Sequence, residues 1–222
     1  MNRSALAAMI DHTLLRADAS QNEVARLCDE AVQFGFAAVA ISPCWTVFCA
    51  DRLMGTSVAV DPTIGFPLGA NTTSVKVAET REAVANGARE IDMVINIGAL
   101  KSGLRREVEG EIAAVVTAAS GRRVKVIIEA CFLTAEEKVA VCEMCLRAGA
   151  AFVKTSTGFA PAGATVEDVA LLSRTVGGQV GVKAAGGIRT YEDAMAMIAA
   201  GATRIGSSRG IAILAGVPGH EQ

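Results

Sequence analysis

The sequence predicts an α/β chain in which eight strands alternate with helices and close into a parallel barrel. Three observations carry that expectation. Short β-rich apolar runs recur along the whole chain of 222 residues. Helix starts recur as a hydroxyl residue followed three positions later by an acid, as in Ser20-Gln21-Asn22-Glu23, Thr134-Ala135-Glu136-Glu137, Thr165-Val166-Glu167-Asp168 and Thr190-Tyr191-Glu192-Asp193. There the hydroxyl accepts from a backbone N–H and the acid reaches back. Helix ends recur as a glycine just before the next strand, at Gly35, Gly87, Gly149 and Gly201, where a left-handed residue stops a helix.

In chain order, strands are expected near residues 9–12, 38–42, 57–64, 90–96, 124–130, 151–155, 179–184 and 203–206. They are apolar, β-branched and too short for helices. Helical patterns fill the intervals, about 22–34, 45–54, 73–86, 104–119, 135–148, 166–175 and 191–200, with a last short helix after Ser208. A helix between each pair of strands makes neighbouring strands parallel. Eight such units, in a chain slightly shorter than the usual ~250 residues, point to a single-domain (β/α)₈ TIM barrel. An open doubly wound sheet is the alternative, weakened because no Gly-x-Gly-x-x-Gly follows the first strand.

Composition narrows the function classes. With 51% hydrophobic and 20% charged residues, the chain can bury one large core, and no linker divides it. Residues 1–222 are therefore one domain, with 216–222 a Gly- and Pro-bearing tail expected to be mobile. A net charge of −2 with no basic block argues against a nucleic-acid partner. No apolar run approaches the ~20 residues that span a bilayer, and residues 1–16 lack a signal-peptide pattern. A cytoplasmic protein is expected. The six cysteines are expected as thiols. Cys142 and Cys145 have metal-site spacing but lie in a helical pattern with no second pair, and only His12 and His220 exist, so no metal is expected.

The chemistry centres on residues 151–158. A buried strand ends in Lys154 and breaks into Thr155-Ser156-Thr157-Gly158. Burial disfavours the ammonium, and a neutral lysine forms Schiff bases with carbonyls. The alternative is a lysine that snorkels to water. Asp92, Lys125, Lys154 and Lys183 follow one another at intervals of 33, 29 and 29 residues, a near-even spacing that predicts similar height around the barrel. Lys183, one strand away from Lys154, would help keep it neutral, and Asp92 could move protons or simply neutralise the lysines. The hydroxyls of Thr155 and Ser156 could hold water for those proton transfers. Gly158 and the consecutive loops Gly186-Gly187 and Gly206-Ser207-Ser208 suggest an anion cradle, because barrels bind phosphate after strands seven and eight. Arg209 could add a donor there or point outward.

These residues carry a resemblance. The runs 10–15, 90–98, 124–129, 152–159, 182–189 and 204–208 together resemble the deoxyribose-phosphate aldolase family. The resemblance covers residues 10–214. It implies a class I aldolase that needs no metal or other cofactor and interconverts 2-deoxy-D-ribose 5-phosphate with D-glyceraldehyde 3-phosphate and acetaldehyde. By resemblance Lys154 is the Schiff-base lysine, Lys183 lowers its pKa, Asp92 is the relay aspartate and Asp11 supports it. Lys125 and Thr155 join as supporting residues. Gly158, Gly186, Gly187, Gly206 and Ser208 match phosphate-site positions, and Ser207 lies between two of them. The resemblance also implies a homo-oligomer. Competing readings are a Schiff-base enzyme for another phosphosugar and a barrel that binds a phosphorylated metabolite without catalysis.

Overall fold

The computed structural model describes residues 1–218, so the end of the expected tail, with His220, lies outside the described residues. Eight parallel strands close in sequence order, each hydrogen-bonded to the next and the last to the first. They are β1 (Ile10–Leu14), β2 (Ala38–Ile41), β3 (Ala59–Ile64), β4 (Glu90–Val94), β5 (Arg123–Ile127), β6 (Phe152–Lys154), β7 (Gly181–Ala185) and β8 (Arg204–Ser207). The helices are α1 (Arg3–Ala7), α2 (Gln21–Phe34), α3 (Thr46–Arg52), α4 (Thr73–Ala85), α5 (Ile97–Lys101), α6 (Arg105–Ala118), α7 (Ala135–Ala148), α8 (Val166–Val176), α9 (Tyr191–Ala199) and α10 (Gly210–Ala215). Among them none is long and apolar enough to cross a membrane.

The expected caps form. Ser20 with Glu23, Thr134 with Glu137 and Thr190 with Asp193 make reciprocal capping boxes. Thr165 accepts from the Asp168 N–H without the return bond, because the Asp168 carboxylate reaches Lys138 at 2.5 Å instead. Gly35, Gly87, Gly149 and Gly201 all take positive φ, the conformation that reverses the chain out of a helix.

Local chemistry also explains where the elements differ from expectation. Two short helices have no counterpart in the sequence pattern. Asn2 caps α1 by accepting from the Ala5 N–H, and Asn96 caps α5 by accepting from the Ala99 N–H. The second cap ends β4 before Asn96. Strand β5 stops at Ile127, short of the expected residue 130, because Glu129 turns into the left-handed region (φ 49°). Strand β7 begins two residues late, after the left-handed pair Gly177-Gly178.

The strands are buried on both faces, and the two faces differ. Ile10, Val39, Ile41, Val60, Ile64, Ile91, Met93, Val126, Val153, Val182 and Ile205 pack in the apolar layer beneath the helices. Each such side chain contributes roughly 1.5–3 kcal/mol when buried. The alternate positions turn to the barrel axis. Barrels are usually filled there with branched apolar residues; this one is filled with Asp11, Asp61, Glu90, Asp92, Lys125, Lys183 and Arg204, all buried.

Candidate active site

The axial charges form one network. Asp92 Oδ2 lies 2.6 Å from Lys154 Nζ and 2.7 Å from Lys183 Nζ, and its Oδ1 is 3.0 Å from Lys125 Nζ. Lys183 also reaches Asp11 at 2.5 Å and Asp61 at 3.2 Å. Lys125 reaches Asp61 at 2.6 Å and Glu90 at 2.8 Å. Arg204 closes the far side on Asp11 at 2.6 Å and Glu90 at 3.1 Å. Oxygens of Asp11, Asp61 and Glu90 lie within 4.8 Å of one another, a metal-like grouping, but Lys125, Lys183 and Arg204 already supply the positive charge there.

Strand pairing sets this geometry. Lys154 pairs with Lys183, and Asp92 pairs with Lys125. The near-even sequence spacing does not place all four at one height, however. Lys125 pairs with Phe152, and it is Ile127 that pairs with Lys154. Lys125 thus sits two residues deeper than Lys154, at the base of the network.

Burial and neighbours divide the lysines. Burial lowers the Lys154 pKa, the Lys183 charge adds to that effect, and Asp92 opposes it; the net direction is down. Burial also works against charge on Lys183, but Asp11 and Asp92 overcome it and its pKa is raised. Lys125, ringed by Asp61, Asp92, Asp11 and Glu90, is raised well above the usual lysine range despite burial. Asp92 is buried too, yet Lys125, Lys154 and Lys183 hold its carboxyl well below the ordinary range. The arrangement therefore weakens the hold of Lys154 on its proton while its neighbours support the charges of Asp92 and Lys183.

A cavity of about 610 Å³ opens above Lys154 at the C-terminal ends of the strands, within the size range of small-molecule sites. Its wall includes Lys154 but neither Asp92 nor Lys183, which are fully buried. Gly158, Gly186, Gly187, Gly206, Ser207 and Ser208 all line it. Gly158, Gly186 and Gly187 have φ near +85°: +87°, +86° and +83°, a region that costs other residues strain. At Gly186 an added Cβ would also come 2.9 Å from the Gly163 Cα, where the loops after β6 and β7 cross.

One expectation needs correction, and three neighbouring positions gain detail. Thr155 does not offer its hydroxyl to a water. It is buried, donates to the Ala185 carbonyl at 3.2 Å and accepts from the Ala185 N–H at 3.1 Å, so it fastens β6 to β7. The Ser207 hydroxyl donates to the Ile188 carbonyl at 2.7 Å and accepts from the Arg209 N–H at 2.9 Å; this leaves Ser208, which is exposed, as the free hydroxyl of that loop. Gly206 makes room for a lysine as well as lining the cavity: an added Cβ would lie 3.2 Å from Lys183 Cε. Arg209 is not in the cavity wall, whereas Arg16, Arg26 and Arg189 are.

Sequence reasoning did not single out Asp61, Glu90, Arg204 or Glu129. Glu129 accepts from the Thr157 N–H at 3.2 Å and from its hydroxyl, holding the loop that carries Gly158. Asp61 had a signal that could have found it: an aspartate inside the otherwise apolar run Val58-Ala59-Val60-Asp61-Pro62.

Residues 5–216 match the model of the DeoC/LacD family aldolases. This chain belongs to that family. It is 57% identical over 212 residues to a deoxyribose-phosphate aldolase from Geobacillus sp. (strain WCH70), covering 95% of each chain. It is 57% identical over 207 residues to one from Streptococcus sanguinis (strain SK36), covering 93% of this chain and 94% of the relative. Among solved structures, the tetrameric deoxyribose phosphate aldolase from Aeropyrum pernix superposes with a TM-score of 0.90 at 34% identity, over 96% of this chain and 91% of that one. The aldolase QR15 superposes with a TM-score of 0.91 at 41% identity, over 95% and 94%. As a DeoC/LacD family member the chain is an aldolase on a (β/α)₈ barrel.

Proposed function

We propose that this aldolase reversibly cleaves 2-deoxy-D-ribose 5-phosphate into D-glyceraldehyde 3-phosphate and acetaldehyde through a Schiff base on Lys154. One observation carries the reading: Lys154 alone among the network's cations lines the cavity, with its amine driven toward neutrality. The free amine attacks the C1 aldehyde, and loss of water from the carbinolamine gives an iminium. The C3 hydroxyl then loses its proton, the C2–C3 bond breaks, and its electron pair passes into the iminium to form an enamine. Glyceraldehyde 3-phosphate leaves; protonation of the enamine at C2 and hydrolysis release acetaldehyde. Asp92, 2.6 Å from Lys154, is the group placed to exchange protons with it. Lys183 stays charged and holds down the Lys154 pKa.

The substrate phosphate is assigned to the Gly186-Gly187 and Ser208 end of the cavity, where backbone N–H groups freed of side chains approach an anion closely. The curated relatives at 57% identity support this substrate over another phosphosugar. The Aeropyrum pernix relative is a tetramer, which supports a homo-oligomer here, and six unpaired cysteines fit the reducing cytoplasm. Borohydride reduction in the presence of acetaldehyde, followed by peptide mapping, tests the mechanism. The expected product is a covalent adduct on Lys154, absent from Lys154→Leu. An adduct on Lys183 with Lys154 unmodified would reverse the roles, and no adduct at all would remove the Schiff base.

A further inference from the structure

Asp61 is a buried acid that the reaction above leaves without a part. It lies on β3, fully buried, with Oδ2 2.6 Å from Lys125 and 3.2 Å from Lys183. Its Oδ1 meets no hydrogen-bond partner. Of the four carboxylates on the barrel axis it is the least supported. Asp92 touches three lysines. Asp11 touches Lys183, Arg204 and, at 3.6 Å, Lys125. Glu90 touches Lys125, Arg204 and the exposed Arg123. Asp61 touches two cations, and each of these also serves at least two other acids.

The charge count makes this shortage matter. Asp11, Asp61, Glu90 and Asp92 face Lys125, Lys154, Lys183 and Arg204, so the axis is neutral when every group is ionised. Schiff-base chemistry needs Lys154 as the free amine. That leaves four carboxylates against three cations, and an unbalanced charge away from water is costly. Neutrality returns when one carboxylate takes up the proton.

We propose that Asp61 stores the proton Lys154 releases and gives it back as the iminium forms. The proposal rests on the Schiff-base reading above. A contact route exists: Lys154 Nζ to Asp92 Oδ2 at 2.6 Å, Asp92 Oδ2 to Lys183 Nζ at 2.7 Å, Lys183 Nζ to Asp61 Oδ2 at 3.2 Å. Lys183 first gives a proton to Asp61 and then, as the free amine, takes one from Asp92, so it ends as an ammonium again. The step balances. A Lys154 amine, an aldehyde and a protonated Asp61 become an iminium, a water and an Asp61 carboxylate. Asp61 does not touch the substrate; it is a positioning residue for charge, acting through Lys183.

The surroundings of Asp61 favour this part. Burial first and then the Asp92 charge push its carboxyl up, against Lys125 and Lys183, to about 7. The groups facing it are Asp11 on β1, Glu90 and Asp92 on β4, Lys125 on β5, Lys154 on β6, Lys183 on β7 and Arg204 on β8. Strand β2 carries no titratable side chain. Asp11 and Asp92, better supplied with cations, both move below the ordinary range although burial opposes it, so they do not compete for the proton.

Infrared difference spectroscopy on the intact protein near pH 7, with and without acetaldehyde, tests the proposal. With aspartate labelled at its carboxyl carbon, the C=O stretch of one protonated aspartic acid should disappear as the adduct forms. In Asp61→Asn that band should be missing, and the adduct should draw about one proton from the buffer, where the parent protein draws none. A merely structural Asp61 would change neither reading. Should Asp61→Asn not fold, the parent spectrum decides. A trapped Lys154 adduct with no loss of an aspartic acid band overturns the proposal alone, as does a band that survives in folded Asp61→Asn. Failure to trap any adduct on Lys154 overturns the Schiff-base reading, and this proposal with it.

Discussion

At the scale of the residue, Lys154 and Lys183 share one carboxylate oxygen and yet move in opposite directions. Both are buried, Lys154 at the cavity floor and Lys183 completely, and they are adjacent in register. The difference is the number of acids each meets: Asp92 alone for Lys154, and Asp11, Asp61 and Asp92 for Lys183. Lys183→Leu removes the neighbouring positive charge and leaves three carboxylates with one cation fewer. The Lys154 pKa should then rise, each unit corresponding to ~1.4 kcal/mol. Activity at neutral pH should fall by roughly 10²-fold or more, while the borohydride-trapped adduct reappears at higher pH. Trapping yield against pH measures this; an unmoved midpoint would show that Lys183 does not set the charge of Lys154. The sequence placed Lys154, Lys183 and Asp92 together because each interrupts an apolar strand at a repeating interval. It did not show which acids serve which lysine, since that depends on contacts across the barrel between strands far apart in the chain, such as β3 with β7.

At the scale of the element, two glycines at the mouth separate binding from chemistry. Gly187 has φ +83° and open space around it, so a side chain there meets backbone strain of roughly 1–2 kcal/mol and intrudes on the proposed phosphate end. Gly206 has ordinary backbone geometry but lies against Lys183 Cε. Gly187→Val should therefore raise KM for 2-deoxyribose 5-phosphate and do much less to unphosphorylated 2-deoxyribose, because what is lost is remote phosphate binding. Gly206→Val should lower kcat for both, because it displaces Lys183. Steady-state kinetics with the two sugars separates these outcomes; equal damage to both by Gly187→Val would count against the phosphate assignment. Element type and order were legible from caps and glycines, whose effects are local. Boundaries slipped where the chain turned locally, at the Asn96 cap of α5, at left-handed Glu129 and at the Gly177-Gly178 pair, and the Thr155 hydroxyl bonds across to β7 where its place after Lys154 suggested a water site.

At the scale of the molecule, a barrel whose axis is charged ties its stability to pH. The parallel (β/α)₈ closure was legible because alternation of strand and helix leaves few other topologies. The ionic filling of the axis was only half legible, since Asp61, Glu90 and Arg204 look unremarkable one at a time. Asp92 is the hub, and its folded-state pKa lies well below its unfolded value. A depressed carboxyl contributes stability that is complete above its unfolded pKa of ~4 and is lost as pH falls through the folded value. Asp61, raised to about 7, has the opposite sign: its favourable contribution is present below ~4 and is lost as pH rises through 7. Asp92→Asn removes the depressed contribution, takes from Lys154 its only carboxylate partner and leaves Lys125 and Lys183 with one acid fewer each. Breaking such a buried pair costs about 3–5 kcal/mol, eased here because Lys154 can become neutral. The gap in unfolding midpoint between the parent protein and Asp92→Asn should be wide at pH 7 and should narrow at pH 3, where protonation begins to take from the parent what the substitution has already removed. Urea unfolding followed by circular dichroism at the two pH values measures it. A gap that stays constant would place the loss in packing around the amide, and the Asp92 charge would then contribute nothing to holding the barrel together.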